Sequence, residues 1–382
     1  MRGLKDYVGT KIHPLVKSRN WHRITIRGHY VRDGENVHVS SLEKKKGFNW
    51  QRPTATIIDE NTLEISCFPG RDYVLHYAKL LAADLALRKV KRSTTTLEYI
   101  LPSTEECMDI LLKSNLKHLD GVDTLVLGYV GYLSSTKPPA PSAPWETGDS
   151  VSGSDGSTQL FAWRRFTRPD GTKIAFLASK MSLWGDIIGN VVRAQRQLSK
   201  TSVTSVIYMG KVGALKPEDK PYASLATGHG SFIDGSDQVW NSALDATIST
   251  FHFSSSTLKQ GKHINVASPL DETKTWFGEW KSKASWVDCE VGYLAQACEE
   301  GKAQFGYLHF ISDNVDGPGG YTLGSKYGNE KGSRKTLLGL MRWVLADYLD
   351  LDVLRRVPLY WDDHSEFPDL DPECDPENDF PE

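Results

Sequence analysis

Two acidic residues, Glu290 and Asp313, each follow a short apolar run within residues 286–317, WVDCEVGYLAQACEEGKAQFGYLHFISDNVDG. Residues 286–288 lean apolar. From Val291 the apolar positions Val291, Leu294, Ala295 and Cys298 recur at helical spacing, and Gly301 stands where a helix would end. Residues 305–311 are aromatic and β-branched, and they stop at Ser312-Asp313-Asn314. Strand, helix and strand in that order predict a right-handed βαβ unit with parallel strands. Both carboxylates then face the crevice at the strands' carboxyl edge, where open α/β sheets bind ligands. Carboxyl groups at such a rim are equipped for acid–base and electrostatic chemistry. The plainer alternative makes Glu290 a residue favoured by the helix dipole and Ser-Asp-Asn ordinary turn chemistry. A calcium loop is excluded, because the acidic spacing is wrong and the closing Glu is missing.

The elements that must hold these residues lie in a chain of 382 residues, enough for one large domain with an appendage or for two domains. A net charge of −3 gives no general case for binding nucleic acid or membrane. Five cysteines without a C-x-x-C pair fit reduced thiols, and no apolar run approaches a signal core or a membrane span. A soluble, cytoplasmic protein is the expectation. The segment 1–93 leans basic and reads as an α+β extension, with strands at 21–27, 36–40 and 54–65 and a helix at 73–90. The Pro/Ser/Gly-rich residues 135–157 read as a flexible loop, and the acidic, proline-punctuated residues 361–382 as a disordered tail.

From about residue 94 strands and helices alternate. Strands are expected at 95–101, 123–133 and 205–209, and hairpins at 161–178 and around Ile233-Asp234-Gly235. Helices are expected at 103–113, 187–198 and 337–349, the first opened by a Ser103–Glu106 capping box. The fold class is α/β, a mixed central sheet with helices on both faces.

Four pieces of this region resemble the nucleoside phosphorylase and nucleosidase superfamily, in the family's order. SVIYMGKVGAL is similar to its Gly-(Ser/Thr)-x-Gly-(Gly/Ala)-Leu strand end, and ASLATGHGSFIDGS to its hairpin starting at Ala-Thr-Gly. VDCEVGYLAQAC is similar to its Val-(Asp/Glu)-Met-Glu signature, with Cys289 in place of Met, and YLHFISDNVDG to its strand ending Ile-Ser-Asp. The likeness covers about residues 94–345 and implies a catalytic part over 94–350.

The resemblance implies cleavage of an N-glycosidic bond without a cofactor. Asp313 becomes the general acid that protonates the departing base, and Glu290 the carboxylate that binds the ribose hydroxyls and stabilises the cationic ring. Trp276 and Phe277 become candidates to stack on the base, with core packing as the alternative. Cys289 lies beside the substrate by its place in the signature. Glu105, and next to it Glu106, become candidates to activate water, with plain helix capping as the alternative. Lys211 and Lys180 leave a phosphorylated substrate open. The sequence departs from the family where phosphorylases bind phosphate: Tyr208 or Met209 stands in the usual Arg region, and Lys211 replaces the Ser/Thr. Hydrolysis of a purine nucleoside or nucleotide is therefore expected. The alternatives are a phosphorylase with a rebuilt phosphate site and an idle nucleoside-binding or scaffold protein. An assembly of at least two identical chains is expected by resemblance, with no nucleic-acid or membrane partner.

Overall fold

A computed structural model describes residues 2–43, 51–91, 93–135, 143–148, 157–199, 203–315 and 331–355. The acidic tail and most of the 135–157 loop lie outside the described residues. The chain begins with a helix that its polar sequence does not announce, α1 (Arg2–Lys11). Strands β1 (Arg23–Gly28), β2 (Val37–His38), β3 (Thr54–Ile57), β4 (Thr62–Cys67) and β5 (Thr96–Ile100) form a sheet in the order β2-β3-β4-β1-β5. Helix α2 (Arg71–Leu87) buries Val74, Tyr77 and Leu81 in a core shared with Val8 of α1 and with Ile24, Ile26, Leu63 and Ile65. The run 54–65 is two strands, because the Asp59 carboxylate accepts the Asn61 N–H at 2.7 Å and turns the chain. The strand expected to open the catalytic part, β5, is the edge of this smaller sheet, parallel to β1.

The larger layer begins after α3 (Thr104–Leu112), whose capping box forms as the sequence predicts. Strand β6 (Thr124–Gly128) ends in a short helix α4 (Val130–Leu133) rather than continuing as a strand to 133. There follow β7 (Phe161–Thr167), β8 (Lys173–Ser179), α5 (Asp186–Leu198), β9 (Ser205–Ala214), β10 (Leu225–Thr227), β11 (Gly230–Ile233) and β12 (Ser236–Val239). Next come α6 (Asp245–Thr250), β13 (Leu258–Gln260), β14 (His263–Asn265), α7 (Lys274–Trp280) and β15 (Trp286–Asp288). The last elements are α8 (Val291–Gly301), β16 (Gln304–Asn314), α9 (Lys331–Tyr348) and α10 (Asp352–Arg355). Among the described residues β6 to β16 make one mixed sheet of eleven strands.

Alternation along the strands feeds two cores. Leu125, Leu127, Ala175, Leu177 and Val206 pack against α3, α5 and α8, while Val126, Ile174, Phe176 and Ile207 pack against α4, α6 and α9. Helices cover both faces, so the strands are apolar on both sides.

The expected parallel βαβ unit does not form. β15 and β16 are separated by β9; β15 runs antiparallel to it and β16 parallel. Nor does Gly301 cap α8: it is the last helical residue, and Lys302, at φ 53°, takes the left-handed position.

β9 is the axis of the layer. β16 runs along one edge of β9 from Ser205 to Ala214. The other edge is shared, with β6 on Ser205 to Met209 and β15 on Gly213 and Ala214. The sheet thus forks at Gly210, Lys211 and Val212.

Candidate active site

A cavity of about 220 Å³ opens at this fork. Its floor is β9 from Gly210 to Gly213, with Gly128 and Tyr129 leaving β6, Ser179 leaving β8, Val287 to Glu290 on one side and Ser312 and Asp313 on the other. β6, β8, β9 and β16 are parallel, so the cavity lies toward the carboxyl edge of that set. Two glycines make room for it. Gly128 has φ +97°, and a Cβ there would lie 1.9 Å from the Met209 carbonyl oxygen. A Cβ on Gly213 would lie 3.0 Å from Val287 and 3.1 Å from Asp313 Oδ2.

Asp313 reaches the cavity through a β-bulge. The register of β16 against β9 slips between Ile311 and Asp313, and both Ser312 and Asp313 line the cavity. The Ser312 hydroxyl donates to Asp313 Oδ1 at 2.6 Å. Burial pushes the Asp313 carboxyl above its ordinary range, while the Ser312 bond and the Lys211 ammonium pull it back. A carboxyl so placed is suited to hold a proton and to release it.

Glu290 lines the cavity from the start of α8. It occupies the N-cap position but makes no side-chain capping bond. The capping falls to Asp288, whose Oδ1 accepts the N–H groups of Glu290 at 2.9 Å and Val291 at 3.1 Å. His263 Nε2 lies 2.8 Å from the same oxygen, and Ser231 Oγ is 2.9 Å from His263 Nδ1. Burial works against the charged form of Asp288, but His263, His309 and the Val291 N–H together hold the carboxyl below its ordinary value. Glu290 is therefore seated by a buried Ser231–His263–Asp288 chain, and its own carboxyl is not used to cap the helix.

The other expected site residues divide. Lys211 and Cys289 line the cavity. Burial pushes the Cys289 thiol well up, which leaves it a neutral wall group. Lys180 does not reach the lining; its carbonyl accepts the Gln51 N–H at 2.6 Å, at the seam with the smaller sheet. Trp276 and Phe277 are not among the lining residues; half-buried on α7, they pack with Trp184, Phe232 and Trp280 against the cluster that holds Ile264 and Val287. Glu105 and Glu106 are exposed on α3, where Glu106 closes the capping box with Ser103. Their strand, β5, belongs to the smaller sheet, so the junction does not open on the cavity.

The lining residues that were not anticipated include Tyr7 and Lys11 of α1, Trp184 and Glu272. Trp184 is held by its indole N–H to the Ala267 carbonyl at 2.9 Å. Glu272 follows the 3₁₀ turn Pro269–Asp271, and burial, with Asp313 and Asp271 adding to it, raises its carboxyl well above the ordinary range. Local pattern gives no sign of it, since Asp-Glu-Thr before a helix looks like a plain start signal. Among the described residues no cluster of three His, Cys, Asp or Glu side chains is placed to hold a metal ion.

No family model matches the chain, and no curated protein matches its sequence. Solved structures do. A futalosine hydrolase mutant of Helicobacter pylori is 16% identical over 60% of this chain and 99% of its own, with a TM-score of 0.41. Uridine phosphorylase from Vibrio fischeri is 14% identical over 63% and 94%, at 0.46. Purine nucleoside phosphorylase from Toxoplasma gondii is 10% identical over 63% and 94%, at 0.45. The similar structures are nucleosidases and nucleoside phosphorylases. With TM-scores under 0.5, the likeness assigns no residue a role.

Proposed function

We propose that this chain hydrolyses the N-glycosidic bond of a purine nucleoside or nucleotide and releases the free base. The observation that carries the reading is the convergence of two differently prepared carboxyls on one cavity: Asp313, pushed toward its protonated form, and Glu290, relieved of helix capping. Breaking the bond builds negative charge on the base and positive charge on the sugar. Asp313 donates its proton to the base, and Glu290 accepts hydrogen bonds from the sugar hydroxyls that strengthen as the ring becomes cationic. The separation of roles is the one expected when two carboxyls meet different environments.

Water is the favoured nucleophile. Met209 is fully buried in the core, and Tyr208 and Lys211 face the cavity where an Arg and a Ser/Thr would hold inorganic phosphate in the family resembled. The ammonium of Lys211 supports a second reading, phosphorolysis at a rebuilt site. Product analysis with and without phosphate separates the two. Free base and free sugar, or sugar phosphate from a nucleotide, are expected at equal rates in both buffers. An obligatory phosphate requirement with a sugar 1-phosphate product overturns hydrolysis. Ligand binding with no product in either buffer overturns both in favour of an idle binding protein.

A further inference from the structure

Hydrolysis calls for a group that orients the attacking water and takes its proton, and Glu105 and Glu106 do not open on the cavity. The acidic residues that line it are Glu272, Asp288, Glu290 and Asp313. Burial pushes Glu272 and Asp313 toward their neutral forms, and Glu290 meets the sugar hydroxyls in the function proposed above. Asp288 is left, and it is held in its charged form. Its Oδ1 is occupied by the N–H groups of Glu290 and Val291, with His263 Nε2 beside it. Its Oδ2 is buried and has no hydrogen-bond partner among the described residues. A buried carboxylate oxygen left in this way is costly unless something else bonds to it.

His309 stands next to that oxygen, with Nδ1 3.9 Å from Asp288 Oδ2. It is fully buried on β16, set edge-on to Tyr208 at 4.7 Å, and neither ring nitrogen has a hydrogen-bond partner among the described residues. Burial drives its imidazole down to about 3, so the ring is neutral and offers one N–H and one acceptor nitrogen. It abuts the cavity floor at Gly210, where a Cβ would lie 3.0 Å from His309 Nε2. The gap between Oδ2 and Nδ1 is too long for a direct hydrogen bond and fits one oxygen bonded to both at about 2.8 Å. Because Asp288 also holds the N–H of Glu290, the pair lies on the side of the cavity given to the sugar. We propose that Asp288 Oδ2 and His309 Nδ1 hold the attacking water, Asp288 as the general base and His309 as a positioning residue. The water oxygen bonds to the anomeric carbon and its proton passes to Asp288. The electron pair of the broken bond leaves with the base, which takes the Asp313 proton, and exchange with solvent resets both carboxyls. The assignment rests on the hydrolytic reading; the unpartnered atoms that prompt it are independent of that reading.

The test is a product ratio, measured on the full chain with adenosine, inosine and their 5′-monophosphates in the presence of sodium azide. Azide attacks the sugar without losing a proton, so it needs no base and yields a sugar azide where water yields free sugar. The ratio of free sugar to sugar azide should fall at least about tenfold in both Asp288→Asn and His309→Phe, since general base catalysis is worth about 10²–10⁴-fold. The ratio counts turnovers only, so it does not depend on how much of a variant is folded. His309→Phe keeps the ring and its packing and removes no charge; it decides alone if thermal melts show that Asp288→Asn does not fold. Both products falling in step, with the ratio unmoved, makes the two residues structural and overturns the proposal. A raised KM with an unmoved ratio gives Oδ2 to a sugar hydroxyl and also overturns it. So does a shift in Asp288→Asn alone, which is what easier azide entry after loss of a negative charge produces. Free sugar from the native chain without azide or phosphate judges the hydrolytic reading by itself. Hydrolysis by the native chain with unmoved ratios defeats this assignment only, whereas base release that requires phosphate defeats both.

Discussion

Replacing Asp313 by Asn keeps the size of the side chain and an acceptor for the Ser312 hydroxyl but removes the acidic proton. Turnover should fall by about 10²–10⁴-fold while substrate still binds, because that is the usual worth of general acid catalysis. Near-native turnover on a base that needs protonation to leave removes Asp313 from the role. The pH dependence has a definite sign. A general acid acts only when protonated, so in the proposed role of Asp313 kcat should fall as pH rises through its raised pKa. Lys211 pulls that pKa down. Lys211→Met should therefore move the alkaline limb of kcat to higher pH, and an unmoved limb contradicts the pairing. Glu290→Gln should lower kcat by about 10²–10³ with a smaller change in KM, since the charge it removes matters most in the transition state. Unchanged kcat with a lower melting temperature would make Glu290 a structural residue. Asp288 differs from both. Its folded-state pKa is depressed, so the pair with His263 stabilises the fold above the ordinary aspartate range and loses that contribution as pH falls through the folded value. Breaking a buried pair from one side costs about 3–5 kcal/mol. Asp288→Asn should accordingly melt well below the native chain at neutral pH, with the gap narrowing on acidification. A gap that holds constant with pH refutes this pairing.

At the scale of elements, the fork in the sheet and the bulge in β16 bring the two carboxyls together. Most strands and helices of the large layer are legible in alternation and helical spacing, and so is the α3 capping box. Their pairing is not. A short helix between two strands ordinarily joins parallel neighbours, yet β15 and β16 flank β9 in opposite senses. The sequence carries no local mark of this, because β9 and its neighbours are far apart along the chain. The expectation that Glu290 and Asp313 share a crevice holds for a different reason. β15, running back along β9 from Ala214, delivers Glu290 toward the fork, and the bulge turns Ser312 and Asp313 into it. Gly128 is the tightest point of this arrangement. Gly128→Ala places a side chain at φ +97° and 1.9 Å from the Met209 oxygen. A loss of about 3 kcal/mol or more is expected from the backbone strain and the displaced contact. A denaturant midpoint equal to that of the native chain means that β6 does not approach β9 so closely.

For the whole molecule, the smaller sheet and its helices are docked by α2 on α5 and by His76 and Lys79 on the segment 268–271. None of this could be read from residues 2–11, RGLKDYVGTK, where two of the ten positions are glycine and the apolar ones are few. α1 is set by burial of Val8 against α2, a tertiary effect that outweighs weak local propensity. Asp186→Ala removes two hydrogen bonds from the start of α2 and should cost about 1–2 kcal/mol, as loss of a helix cap does. Because α1 rides on α2, the variant should also raise KM more than it lowers kcat, and steady-state kinetics beside a thermal melt checks both. A KM unaffected in a destabilised variant separates docking from recognition. The fork has a wider consequence. Val287 and Asp313 flank the same residue, Gly213. Two ladder spacings of about 4.8 Å each therefore fix the span between β15, which leads to Glu290, and β16, which carries Asp313. β9 acts as a gauge block: the spacing of the β15 and β16 backbones at Gly213 is machined into hydrogen bonds. The walls formed by α1, the segment around Trp184 and the turn before Glu272 can be exchanged without resetting it. On the proposed function, the choice of ligand and the chemistry done to it are thereby assigned to separate parts of the chain.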